Sequence, residues 1–191
     1  RVVLLGPAHR VAPRALALPA AGALATPLGT VEVDRELAAE ACRLPQVEVD
    51  DAPHRHEHAL EVELPFLQRL LHDFRVLPLV VGAAPAAAVA EVVARLWGGG
   101  ETVVVVSSDL SHYLPYDQAR RLDADTAQKI VSLDGPLRPD QACGAFALNG
   151  LLLALGQRRF AGRVVDLRSS GDTSGDRDRV VGYGAFHFHP A

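Results

Sequence analysis

Seven consecutive residues combine the side chain types that most often carry out chemistry. They are Ser107-Ser108-Asp109-Leu110-Ser111-His112-Tyr113, and they directly follow the β-branched run Thr102-Val103-Val104-Val105-Val106. A short apolar run without polar alternation is typical of a strand covered on both faces. Ligands of open α/β sheets bind beyond the carboxyl ends of the strands. The pattern therefore predicts that a buried strand delivers Asp109 and His112 to a site.

Two more histidines and a cysteine also lie at predicted ends of elements. His9 follows the strand-like run Val2–Leu5 and the breaker Gly6-Pro7, and His58 begins a helical pattern. Cys143 is predicted in the first turn of a helix, where the helix dipole lowers the pKa of a thiol. Imidazole suits iron, copper and zinc, and thiolate favours the softer ions. His9 also fits a structural role as a surface loop residue, and Cys143 fits one as a buried thiol.

The composition narrows the class of protein. The 191 residues are 49% hydrophobic and carry a formal net charge of -4, which fits one folded domain and argues against binding to nucleic acid or to an anionic membrane. No apolar run is long enough to span a bilayer. Two cysteines give no disulfide framework, so we expect a reducing, cytoplasmic location. The sequence lacks methionine and begins with Arg1 inside a strand-like run, so we expect an N-terminal segment to be absent.

The remaining pattern predicts an α/β fold. The order strand, helix, strand over Phe74–Val81, Pro85–Trp97 and Thr102–Val106 is a βαβ unit, and we expect its two strands to lie side by side and parallel at the sheet centre. Further elements are predicted as a hairpin around 28–31, a helix capped by Asp34 that ends near Cys42, a strand at 47–49, helices at 58–71, 116–133 and 139–155, and strands at 163–169 and 180–189. The fold expected is a three-layer α/β/α single domain, residues 1–191, with a mixed, largely parallel sheet.

Several residues are interpreted more simply, as surface or core positions. His54 and His56 are interpreted as solvated loop residues, and Asp123 as part of the solvated face of its helix. Cys42 is interpreted as a small core residue. Pro65 is expected to kink or divide the helix that His58 begins, and His58 shares a face with Val62, which points it toward the core or a pocket floor.

Five short motifs, taken in order, resemble those of the Memo family, whose bacterial members are called AmmeMemoRadiSam system protein B. The motifs are Gly6-Pro7-Ala8-His9-Arg10, Glu57-His58-Ala59-Leu60-Glu61 with Leu64-Pro65, Val80-Val81-Gly82, Ser107-Ser108-Asp109-Leu110-Ser111-His112, and Cys143-Gly144. The resemblance runs along essentially the whole chain, and the ordered set is far more specific than any one motif. It implies a fold related to the LigB-type class III extradiol dioxygenases, with a site at one end of a mixed sheet.

The resemblance also implies roles for individual residues. His9, His58 and Cys143 match the family's metal ligands, and Asp109 and His112 match two neighbours in the same pocket. It implies a mononuclear site for iron or copper, with zinc as an alternative. Extradiol enzymes hold iron with two histidines and a carboxylate, so a cysteine in place of the carboxylate puts ring cleavage in doubt. Family members normally carry an upstream strand that ends in Pro-His-Ala-Gly-Tyr, which is not in this sequence.

Three classes of function stay open at this point. The first is a redox-related metal protein, a non-haem oxidoreductase or dioxygenase-like protein, with a functional link to a radical-SAM protein implied by the family name. The second is a module that binds a small molecule or a peptide without catalysis, since eukaryotic Memo relatives are thought to bind phosphotyrosine peptides. The third is a hydrolase that uses Ser107 or Ser108 with His112 and Asp109, although the Gly-x-Ser-x-Gly elbow is missing.

His112 has two interpretations. As a catalytic residue beside the metal it serves as general base or proton shuttle, while Asp109 accepts a hydrogen bond that fixes a histidine tautomer. As a structural residue His112 packs on Tyr113, and Asp109 caps the turn after the strand.

Overall fold

A computed structural model describes all residues, 1–191. It contains ten strands, five α-helices and one short 3-10 helix at Ser170–Asp172. The strands are β1 (Val2–Pro7), β2 (Leu16–Leu18), β3 (Ala23–Thr26), β4 (Gly29–Glu32), β5 (Val47–Val49), β6 (Val76–Val81), β7 (Val103–Val106), β8 (His112–Leu114), β9 (Phe160–Ser169) and β10 (Val180–Pro190). The helices are α1 (Arg35–Ala41), α2 (Leu64–Leu70), α3 (Ala86–Leu96), α4 (Tyr116–Val131) and α5 (Ala145–Gln157).

The central sheet has five strands in the order β5-β2-β6-β1-β7. Three of its four pairings are parallel, and only β2 and β6 run antiparallel. Every residue of β1 and β6 is buried, because these two strands are covered on both faces and flanked on both sides. The prediction of an α/β fold with a mixed, largely parallel sheet is confirmed. None of the helices combines the length and the apolar character needed to cross a membrane.

Each face of the central sheet has its own apolar cover. Side chains of α1, α3 and α5 pack on one face in the largest hydrophobic cluster. The hairpin β3–β4, the segment around Leu60 and the start of α2 cover the other face through a smaller cluster. Helices α3 and α5 pack closely because α5 has Gly150 at the contact, where an added Cβ would lie 2.3 Å from Val89.

A second sheet, β8-β10-β9, is antiparallel and packs against α4. The helix α4 lies where the sequence predicts it, but Asp123 is not on a solvated face. Asp123 is only 3% exposed and accepts a hydrogen bond from the Ser111 backbone N–H at 2.9 Å. Burial raises the pKa of the Asp123 carboxyl. The side chain therefore ties α4 to the segment that follows β7.

The prediction that β6 and β7 lie side by side at the sheet centre is wrong. Strand β1 lies between them and pairs in parallel with both, so β7 is the edge strand and Val103 is 52% exposed. A βαβ connection can skip one strand position, and the skipped position is filled here by a strand from the start of the chain. The valine run looks like an interior strand because its side chains still pack on both faces of the sheet.

The helix predicted from His58 is shorter than expected. Residues 59–63 form turns and α2 begins at Leu64, so Pro65 lies in the first turn, where its missing N–H breaks no helical bond. Of the apolar positions, Leu60 and Leu64 are buried, whereas Phe66 is 69% exposed. The expectation that His58 points toward the core or a pocket floor is wrong, because its side chain is 61% exposed.

The remaining expectations concern the loops and α1. Asp34 caps α1 as predicted and accepts from the backbone N–H groups of Glu36 and Leu37. Cys42, at the end of α1, is exposed rather than in the core. His56 is exposed as expected, but His54 is half-buried and its ring contacts the carbonyl of Ala17 at 3.0 Å.

Candidate metal centre

The site residues lie beyond the carboxyl ends of two neighbouring parallel strands. Strands β1 and β7 pair from Val2 opposite Val103 to Leu5 opposite Val106, and the N–H of Ser107 extends the ladder to the carbonyl of Leu5 at 2.8 Å. His9 follows β1 by two residues and Asp109 follows β7 by three. The register therefore carries both segments to the same edge of the sheet.

The first group of potential ligands is the histidine cluster, defined as His9, Glu57 and His58. One potential ligand atom from each residue lies within 4.8 Å of the other two. The imidazole rings of His9 and His58 stack with their centroids 5.4 Å apart and their planes inclined by 20°. The side chains are 34% and 61% exposed, respectively. Two imidazoles therefore face each other at the surface with an acid beneath them.

Glu57 is the functional residue that the sequence reasoning missed. Its side chain is 2% exposed and accepts four N–H bonds: from the His9 backbone at 2.6 Å, the His9 ring at 2.9 Å, the His58 backbone at 2.9 Å and the Ala59 backbone at 3.0 Å. Burial raises the pKa of Glu57, but these bonds outweigh it and lower the pKa from 4.5 to about 2. The only sequence signal was its position beside His58, because burial of a carboxylate leaves no pattern.

The second group is the cysteine cluster, defined as Asp109, His112 and Cys143, whose potential ligand atoms also lie within 4.8 Å of one another. The backbone N–H of Asp109 donates to the Cys143 sulfur at 3.2 Å, and the backbone N–H of Cys143 donates to the Asp109 carbonyl at 3.2 Å. His112 Nε2 lies 3.5 Å from Asp109 Oδ2. The cluster thus joins a thiol, an imidazole and a carboxylate.

Ser108 and Gly144 hold the cysteine segment against the end of β7. The Ser108 hydroxyl donates to the Asp109 carbonyl at 2.8 Å and accepts from the Gly144 N–H at 2.9 Å. An added Cβ at Gly144 would lie 2.7 Å from the Cβ of Ser108, so only glycine allows this approach. Neither Ser107 nor Ser108 is hydrogen-bonded to His112, and the arrangement lacks the nucleophile–base contact that a serine hydrolase needs.

Cys143 is not in the first turn of a helix. Residues 139–141 and 143–144 form turns, and α5 begins at Ala145. Burial raises the pKa of the thiol, and the hydrogen bond from the Asp109 N–H and the contact with the Ser108 hydroxyl only partly oppose this effect. The predicted lowering of the thiol pKa by a helix dipole is therefore wrong, because the peptide dipoles of α5 begin two residues later.

His112 begins the short strand β8, which pairs with β10. Its ring packs edge-to-face on Tyr113, with centroids 5.7 Å apart and an interplanar angle of 68°. Tyr113 has a φ of 59°, a conformation that non-glycine residues rarely adopt and that is common at functional sites. The structural interpretation of His112 agrees with its packing on Tyr113, and the catalytic interpretation agrees with its approach to Asp109.

The five site residues predicted from the sequence all belong to the two clusters. The structure brings His9 and His58 together, and it separately brings Asp109, His112 and Cys143 together. The predicted ligand trio is thus divided between the two clusters.

Comparison with known proteins explains the ordered motifs. The family model described as Memo-like protein matches residues 1–187. The chain belongs to the Memo family. A MEMO1 family protein of Methanosarcina barkeri is 40% identical over 176 residues, which cover 84% of this chain and 65% of that protein. MEMO1 family proteins of Aquifex aeolicus and Ignicoccus hospitalis are 36% and 37% identical, over 96% and 98% of this chain.

These Memo relatives are longer than this chain. The chain spans 65% of the Methanosarcina protein, 73% of the Aquifex protein and 71% of the Ignicoccus protein. All five predicted site residues lie within the part that matches the Memo family model.

Proposed function

We propose that this Memo family protein binds one transition-metal ion with His9, His58 and Cys143. The observation that carries the proposal is that β1 and β7 are adjacent parallel strands, and that a cluster of ligand side chains includes a residue just beyond the carboxyl end of each, His9 after β1 and Asp109 after β7. Two imidazoles and one thiolate form a donor set that suits iron, copper or zinc and not magnesium or calcium. A redox-active ion held by this set would supply one-electron chemistry, so a non-haem oxidoreductase is the activity we infer.

The remaining residues of the site are assigned to proton transfer and to positioning of the cysteine segment. His112 is 31% exposed and sits close enough to Asp109 for an ion pair once its ring is protonated. We assign His112 the role of holding or moving a proton at Nε2, with the Asp109 carboxylate as its partner. Ser108 and Gly144 keep the cysteine segment against β7, so the Cys143 sulfur stays beside His112 and Asp109.

A second candidate is a binding module for a small molecule or peptide. One observation favours it: Tyr113 is 61% exposed beside His112, and the guanidinium of Arg179 lies 5.0 Å from its ring centroid. An exposed aromatic ring with a cation at its face can stack on a planar or anionic ligand. The metal-binding proposal and this one are compatible, because the ligand would lie next to the metal site.

Elemental analysis of anaerobically purified protein tests the proposal. We expect a transition metal in the wild-type protein and its loss in Cys143→Ser. The matched control is Cys42→Ser, which alters the exposed cysteine outside the site. Wild-type protein that holds no iron, copper or zinc after reconstitution, or a Cys143→Ser variant with full metal content, would contradict the proposal.

A further inference from the structure

One buried carboxylate contacts both loops that carry the histidine ligands. Glu57 lies between the segment after β1 and the turn that precedes α2, and its side chain is 2% exposed. Its two oxygens accept the backbone N–H groups of His9, His58 and Ala59 and the ring Nδ1 of His9. A single side chain therefore fixes the relative positions of both histidines.

The hydrogen bonds that Glu57 accepts bear on whether it can coordinate a metal ion. An ionised carboxylate has about two lone-pair sites on each oxygen. Oε1 of Glu57 accepts from the His9 ring at 2.9 Å, the His58 backbone at 2.9 Å and the Ala59 backbone at 3.0 Å, whereas Oε2 accepts only the His9 backbone N–H, at 2.6 Å. Coordination of an ion through Oε1 would require at least one of its three bonds to break, and Oε2 belongs to a side chain that is only 2% exposed. The three bonds to Oε1 and the burial of the side chain argue against Glu57 as a metal ligand, even though two histidines and a carboxylate are a common iron-binding set.

The bond between Glu57 and the His9 ring also fixes a tautomer. A carboxylate only accepts, so the proton must be on His9 Nδ1, and Nε2 then carries the lone pair. Outer carboxylates that receive such a bond orient a metal-binding histidine and make it a stronger donor. We propose that Glu57 is a positioning residue that anchors both histidine loops and presents His9 Nε2 as the metal-binding atom. The part of this inference that concerns the metal rests on the proposed function.

The tautomer of His9 is measured without any metal. The experiment is NMR on the full chain with ¹⁵N-labelled histidine, in the presence of a chelator and at mildly alkaline pH. The His9 signals are assigned by their loss in His9→Ala. We expect a protonated Nδ1 in the wild-type protein and in Glu61→Gln, which removes an exposed acid four residues away. A proton on Nε2 of His9 in the wild-type protein would overturn the inference, whether or not any Glu57 variant folds.

The Glu57→Gln variant tests the consequence for metal binding. The amide keeps the size of the side chain but cannot accept all four N–H bonds, so we expect a mixed His9 tautomer. We expect the affinity for Co²⁺ to fall about 10- to 100-fold, with the absorption spectrum of bound Co²⁺ unchanged because the ligand set is the same. A changed spectrum would identify Glu57 as a ligand, and an unchanged affinity and tautomer would show that it is a structural residue only; either result overturns the inference. If wild-type protein binds no Co²⁺, the proposed function fails while the tautomer measurement still decides the role of Glu57.

Discussion

The backbone N–H of Asp109 points at the sulfur of Cys143 from 3.2 Å, and the N–H of Cys143 returns a bond to the Asp109 carbonyl. This reciprocal pair fixes the thiol at the end of β7 without help from a helix. Burial still dominates and raises the pKa of Cys143 above its ordinary value of 9.0. At neutral pH the sulfur of the metal-free protein therefore carries a proton.

Metal binding must displace that proton, so affinity should depend on pH. From about pH 7 upward, each unit of pH should raise the affinity for Zn²⁺ about tenfold until the thiol ionises. Competition with a chromophoric chelator at several pH values measures this dependence. Cys143→Ser should bind more weakly and lose the dependence in this range. A wild-type affinity that stays constant with pH would show that the thiol does not bind the ion.

Replacement of His112 with alanine should separate the ligands from the proton-handling residues. His112 contacts Asp109 and Tyr113 and is not assigned to the ligand set. We expect His112→Ala to keep nearly full metal content by elemental analysis and to lose any turnover that the wild-type protein shows. His56→Ala, at an exposed histidine, is the control and should change neither. Loss of metal in His112→Ala as complete as in His58→Ala would make His112 a ligand.

Glu57 should make the metal-free protein sensitive to acid. Its pKa is about 2 in the folded protein and 4.5 as a reference, so the unfolded chain binds the proton more readily. The stabilisation is fully present above pH 4.5 and is lost as the pH falls toward 2, by at most about 1.4 kcal/mol per pH unit. Urea unfolding at a series of acidic pH values measures the slope. Glu57→Gln should unfold with a shallower acid dependence, and a slope equal to that of the wild type would refute the assignment.

The two glycines of α5 offer a matched test of packing. At Gly150 an added Cβ would lie 2.3 Å from Val89 on α3, whereas at Gly156 no atom lies within 4 Å. We expect Gly150→Ala to lower the free energy of unfolding by about 1–3 kcal/mol through overpacking. Gly156→Ala should raise it by up to about 1 kcal/mol, because alanine is the better helix former. Urea denaturation measures the free energy of unfolding of both variants. Equal changes in the two variants would mean that the α3–α5 contact is looser than described.

The sequence predicted what depends on local pattern. Asp34 was recognised as a helix cap because the side chain satisfies backbone donors two and three residues away. Strand β6 was recognised because a fully buried strand is uniformly apolar. The site residues His9 and Asp109 were found because polar side chains follow apolar strands, and parallel pairing of β1 with β7 places those strand ends together.

What the sequence could not show depends on tertiary neighbours. The place of β7 at the edge follows from the insertion of β1 between β6 and β7, which no feature of the valine run encodes. The buried carboxylates of Glu57 and Asp123 look like ordinary surface acids in the sequence, since each is also bound by a backbone N–H group distant along the chain, that of His9 for Glu57 and that of Ser111 for Asp123. Cys143 was placed in a helix because the helical pattern says little about where the first turn begins.

The central claim is that one ion is shared between the histidine cluster and the cysteine cluster, and titration with Co²⁺ followed by visible absorption tests it most directly. The account predicts one bound ion with a thiolate-to-cobalt absorption band. Cys143→Ser should lose the band, and His9→Ala and His58→Ala should each weaken binding by more than about 100-fold, the upper range for residues that only support a ligand. If both histidine variants bind Co²⁺ as the wild type does and keep the thiolate band, the ion is held by the cysteine cluster alone and the claim is contradicted.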